Sequence, residues 1–162
     1  MQTFLPLATK DFAQVARVLD NKRLNKQALE GWQIMLNLLE LDPEGNHRTP
    51  KGWSNHPAVK MWRGSELTLW EYVMAMVDEW KARGFKSTIG DKATRTLAHA
   101  AARTTMPSSQ WYPAWMQDPD KFEQIAASHR VALLSKNYEW YSQFHWSEDN
   151  GVRPDHYDYV WN

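Results

Sequence analysis

The stretch LDNKRLNKQALEGWQIM, Leu19 to Met35, carries a dense set of ionic and amide side chains at helical spacing. Asp20, Arg23, Gln27 and Glu30 recur at intervals of three and four and so share one stripe of a helix, with Lys22 and Lys26 one turn apart on a neighbouring line. Leu24, Ala28, Trp32 and Met35 form an apolar stripe beside them. Two accounts fit this pattern. One is a solvated face laced with ion pairs; the other is a polar pocket wall on a rigid element, where cations meet an anion beside carboxylates.

Two further places could do similar work. In SNHPAVK, His56 opens a helix with Lys60 one turn on and Arg63 close by, and the free N–H groups of a helix start suit a phosphate; simple capping by His56 is the equal alternative. In ASHRVALLSKNYEWY, Ser128, His129, Arg130 and Lys136 lie on a helix that runs into an aromatic cluster, where a solvated basic face is the plainer reading. The six histidines fit no standard metal spacing, and no cofactor or hydrolase signature is present, so neither a metal nor a cofactor is expected.

Helices must position these groups. Thr9 is placed to cap a helix carrying Phe12, Val15, Ala16 and Leu19, which continues through Leu39 as one long helix or as two with a kink near Asp20 and Asn21. Asp42 to Gly52 has the Pro, Gly and Asn density of a loop. Asn55 is an N-cap with Pro57 just inside a second helix whose apolar positions are Val59, Trp62, Leu67, Trp70, Val73, Met74, Val77 and Trp80, stopping at Gly84. A short Ala-rich helix follows over 91–103, then a loop over 104–120 pinned by Trp111, Tyr112 and Trp115. A last helix spans 120–137 with Phe122, Ile125, Ala126, Val131 and Leu134 inward. The closing HYDYVWN is aromatic enough to dock on the body. The expected fold is all-α: one domain, 1–162, of three main helices with long Trp-rich connections.

Composition sets the outer bounds. The 162 residues suffice for one domain with a real core, and 43% hydrophobic with 23% charged content is ordinary for a globular chain. Ten tryptophans are many; they fit core packing first and also stacking on nucleobases. Net charge is zero, yet 10–26 and 81–103 are locally basic while the tail from Glu148 is acidic, which allows an anion-binding surface on a neutral protein. Without cysteine there is no disulfide, thiolate metal site or Cys nucleophile. The start lacks signal-peptide character and no apolar run approaches ~20 residues, so a cytoplasmic protein without membrane contact is expected.

Several segments together resemble the phage endonuclease V family, pyrimidine-dimer DNA glycosylases with AP-lyase activity. TFLPL resembles the family's short apolar lead, KRLNK its charged pentad around a central Leu, NHPAVKMWRGSELTLWEYVMAMVDEWKARGF its second long helix, and KNYEWYSQF its C-terminal aromatic segment. The resemblance implies an N-terminus packed between helices and an α-amine that attacks the sugar C1′ to form a Schiff base. It also implies a flipped base and phosphates held by basic side chains. An α-amine suits the task because its pKa near ~8 leaves a neutral fraction at pH 7. At the position of the family's catalytic Glu this chain has Arg23, and Gln2 stands where the family has a small residue.

The resemblance therefore implies Met1 or Gln2 as the amine and Asp20 or Glu30 as the acid–base group. Lys22, Arg23, Lys26, Gln27, His56, Lys60, Arg63, His129 and Arg130 are the residues left to bind the substrate. The partner is DNA or a nucleotide. A nucleotide-binding module that keeps the scaffold without the chemistry is the alternative, since a guanidinium at position 23 is a phosphate clamp.

Overall fold

The computed structural model describes residues 1–103 and 112–162, and among them the regular elements are helical. Helix α1 (Phe12–Val18) and helix α2 (Asn21–Leu38) are separate, with the break at Leu19 and Asp20. Asp11, rather than Thr9, caps α1: its carboxylate accepts from the Ala13 and Gln14 N–H groups, while Thr9 Oγ1 accepts from Asp11 N–H. Asp20 caps α2 by accepting from Arg23 N–H at 2.9 Å. The corner is closed from outside, because Arg83 donates to the carbonyls of Ala16, Arg17 and Leu19 where α1 ends, Ala16 O also accepting from Leu19 N–H.

The second expected helix is also two. Helix α3 (Pro57–Lys60) is a single turn capped by His56 rather than Asn55, and helix α4 (Glu66–Ala82) starts after a tight bend through Gly64 at φ +80°. Its inward face is Leu69, Tyr72, Val73, Met76 and Val77, so Leu67, Trp70, Met74 and Trp80 fall on the flanks. The pattern misled because α4 is covered on two sides. It crosses α2 so closely that a Cβ on Gly31 would lie 2.6 Å from Val73 Cγ2, and helix α5 (Ile89–Arg103) packs on its flank with Trp70 Nε1 donating to Thr94. Gly84, at φ +90°, ends α4 as expected.

The stretch 104–111, including Trp111, lies outside the described residues. Beyond it, helix α6 (Ala114–Gln117) leads into helix α7 (Pro119–Lys136), whose cap is Asp118. Trp115 is buried and donates to Met61 O, which pins this connection to the α3–α4 bend. On α7, Phe122, Ile125, Ala126 and Leu134 point inward as expected, whereas Val131 is only half-buried and His129 is buried in its stead. After helix α8 (Tyr138–Tyr141), residues 157–161 return to the body: Val160 N–H donates to Ser128, and Tyr159 packs on Phe4 and His129.

Residues 2–5 run buried between the helices and are fastened to three of them. Phe4 N–H donates to Gln27 of α2, Tyr72 of α4 donates to Phe4 O, and Leu5 N–H donates to His129 Nδ1 of α7. An extended segment has no internal hydrogen bonds, so its burial requires such partners from outside. No helix among the described residues is long and apolar enough to cross a membrane.

Candidate active site

The apolar and polar stripes of α2 are both turned inward. Leu24, Ala28, Trp32 and Met35 enter the core, while Asp20, Gln27 and Glu30 are also buried, so the polar stripe is a wall and not a solvated face. That wall bounds a cavity of about 220 Å³ whose other sides are Met1, Gln2, Phe4, Lys136 and Tyr159, with Lys22, Arg23 and Lys26 at its rim.

Glu30 is the carboxylate of this cavity. It is 9% exposed and accepts from Gln2 N–H at 3.1 Å, with Gln27 Nε2 at 3.5 Å and the Lys26 ammonium 3.5 Å away. Its charge reaches further: it helps burial raise the Tyr72 and Tyr159 hydroxyls above their ordinary range. His56 is drawn below its usual value by burial first and then by the Met1 ammonium, with Glu30 opposing. His56 therefore feels both the Met1 ammonium and the Glu30 carboxylate even though its ring is occupied. Its Nδ1 accepts from Ala58 N–H, and it packs between Trp53 and Trp161.

The remaining residues of the stripe have structural partners. Asp20 holds Arg23 through backbone and guanidinium and accepts from Asn137, and it does not line the cavity. Arg23 also donates to Lys136 O, so its guanidinium stands at the rim already engaged. Gln27 spends its carbonyl on Phe4 N–H and Tyr72. Such bonding suits holding the N-terminal segment better than reading a base.

The structure does not bring six of the candidate residues to this cavity, Asp20 and His56 among them. Lys60 and Arg63 are exposed around the α3–α4 bend, where Arg63 donates to Ser54 O. His129 is buried to the extent that its pKa falls to about 3, with Arg130 adding to the effect. Arg130 is clamped by Glu123, Glu148 and the Pro6 carbonyl. Three residues of the cavity are outside the candidate set, Phe4, Lys136 and Tyr159, and of these the sequence singles out Lys136 alone, with a solvated basic face as its plainer account. Lys136 donates to the Tyr157 hydroxyl at 2.5 Å and lies over that ring, lowering the Tyr157 pKa. The aromatic docking expected of HYDYVWN was the signal that could have placed Tyr159 there.

Met1 has a second cavity on its other side, about 330 Å³, lined by Gln33, Asn37, Arg48, Lys51 and Trp53. Trp53 is 51% exposed beside these two cations, a pairing that suits a nucleobase and its phosphate.

An all-α scaffold with a carboxylate buried against its N-terminal segment, ringed by cations, is the type of site the resemblance implied. The family model for pyrimidine dimer DNA glycosylase matches residues 1–93, which hold the N-terminal segment, α2 and α4. The chain belongs to that family. No curated protein and no solved structure matches it.

Proposed function

We propose that this protein is a cytoplasmic DNA glycosylase with AP-lyase activity that acts on a damaged or modified pyrimidine through an N-terminal α-amine. The observation that carries this reading is the Gln2 backbone nitrogen held 3.1 Å from the buried Glu30 carboxylate, inside a cavity rimmed by cations. The Met1 amine, or that of Gln2 if Met1 is removed, adds to C1′ as the C1′–N bond to the base breaks and the base departs with the bonding electrons. The added amine then loses a proton and the C1′–O4′ bond of the ring opens, O4′ taking up a proton, which leaves an iminium at C1′. Removal of a C2′ proton then drives cleavage of the C3′–O bond and release of the phosphate.

Glu30 suits both proton movements because it shares the cavity with Met1, accepts from the Gln2 nitrogen and lies out of bulk water, whereas Asp20 is committed to Arg23, Asn137 and the helix cap. Lys22, Lys26 and Lys136 offer ammonium groups for the flanking phosphates, and Arg23 adds its charge from a fixed position. The neutral chain thus concentrates cations where a polyanion would have to approach.

Borohydride reduction during incubation with an abasic-site duplex, followed by peptide mapping, tests the chemistry. The expected result is a covalent adduct on the N-terminal peptide, formed about a hundredfold more slowly by Glu30→Gln at an unchanged melting temperature. No adduct at saturating protein would overturn the reading in favour of nucleic-acid or nucleotide binding without catalysis.

A further inference from the structure

Gln2 is 4% exposed and lines the cavity, yet its side chain is only half used. Oε1 accepts from Thr3 N–H at 2.8 Å, which fixes the orientation of the amide, and Nε2 then has no partner among the described residues. A buried donor without an acceptor costs free energy, and such groups are rare in folded chains. The other buried orphan is His129 Nε2, but His129 does not line the cavity and its ring meets the faces and edges of Phe4 and Tyr159. Gln2 Nε2 is therefore the open donor at the site.

Its surroundings point to the atom it would serve. The same residue's backbone nitrogen donates to Glu30, so the amide donor stands within one residue's reach of the carboxylate. At about 220 Å³ the cavity is smaller than the ~300 Å³ at which drug-sized ligand pockets begin, and it suits a pentose better than a whole stacked nucleotide. Gln27, the other amide on the wall, has its carbonyl taken by Phe4 N–H and Tyr72 and its Nε2 turned to Glu30.

We propose that Gln2 Nε2 is a recognition donor for an oxygen of the deoxyribose that enters this cavity, so that the site selects an exposed sugar through a hydrogen bond it lacks when empty. This deepens the glycosylase reading and rests on its placement of the sugar beside Glu30, but it concerns binding and not the covalent step.

The test compares affinity for two duplexes, one with a tetrahydrofuran abasic-site analogue and one undamaged. The analogue keeps the sugar ring oxygen, lacks a base and cannot form a Schiff base. The parent should prefer the tetrahydrofuran duplex, and Gln2→Met should shrink the ratio of the two affinities about tenfold, the scale of one buried hydrogen bond. Gln2→Asn, which keeps an amide donor, should recover part of the ratio and also covers the case in which Gln2→Met does not fold. A ratio that stays at the parent value in Gln2→Met, or a parent with no preference, would overturn the proposal. So would an equal fall in Gln2→Met and Gln2→Asn, the mark of a merely structural role. Borohydride trapping reads separately: if it fails while the binding ratio responds, the covalent chemistry falls and the recognition stands.

Discussion

Two clusters of cation and carboxylate flank the N-terminal segment, and they differ in what is left over. Beneath Pro6, Arg130 gives its guanidinium to Glu123, Glu148 and a backbone carbonyl, and both acids converge on it. Around Gln2, Glu30 is approached by one backbone N–H, a long amide contact and an ammonium at 3.5 Å, and a neighbouring amide donor has no acceptor. The first cluster is closed and holds α7 to the N-terminal segment. The second is open, and its unmet hydrogen-bonding capacity is what a substrate could complete. Between these two clusters, completeness of bonding is the difference, since both are built from a cation and a carboxylate.

The strongest way to break this contrast is to open the closed cluster. Arg130→Met should destabilise the fold by about 3 kcal/mol, since it strands a buried carbonyl and two acids, one of which is half-exposed and relaxes into water. Urea unfolding would show this as a lower midpoint. A variant as stable as the parent would mean that the cluster does not anchor the segment.

His129 sharpens the comparison through pH. Its pKa is depressed from 6.5 to about 3 in the folded protein, so between those values the unfolded chain binds the proton that the folded one refuses. Stability from this group is complete above the unfolded pKa and falls as pH drops toward 3, by about 1.4 kcal/mol per pH unit. His129→Gln, which keeps an acceptor for Leu5 N–H, should flatten the stability profile in that window. A profile that keeps its slope would assign the acid sensitivity elsewhere.

The smallest effect concerns the open cluster's rim. Lys22 is exposed and has no ion-pair partner among the described residues, unlike Arg23 and Lys26. Lys22→Ala should weaken duplex binding modestly at low salt and reduce the slope of log affinity against log salt by about 0.9, as for one phosphate contact. An unchanged slope would remove Lys22 from the DNA-facing surface.

How much of this the sequence disclosed follows from the range of the interactions. The stripe Asp20, Arg23, Gln27 and Glu30 was legible because helical spacing is local, and its burial beside Leu24 and Ala28 follows from the same period. The ends of α1 and α3 were misplaced by one or two residues, because side-chain geometry at Asp11 and His56 decides which candidate caps. The splitting of the second helix was hidden, since Met61 to Ser65 has ordinary helical composition apart from Gly64 and bends where Trp115 reaches Met61 O from far along the chain. The same limit applies to the site. Nothing local says that Gln27 must turn its carbonyl to Phe4, or that Lys136 and Tyr159 come to stand across from Glu30.

The cavity's walls come from residues 1–4, from the middle of α2, and from Lys136 and Tyr159 near the other extreme of the sequence. In a helical protein most contacts are short in sequence, so these form the least local part of the contact map and carry the largest loop-closure entropy. During synthesis the pocket can close only after the last aromatic residues have left the ribosome, well after α2 has formed. In the finished molecule, fraying of residues 157–161 would open it without unfolding the helices, so hydrogen exchange at Val160 reports on the pocket while exchange at the centre of α2 reports on the fold.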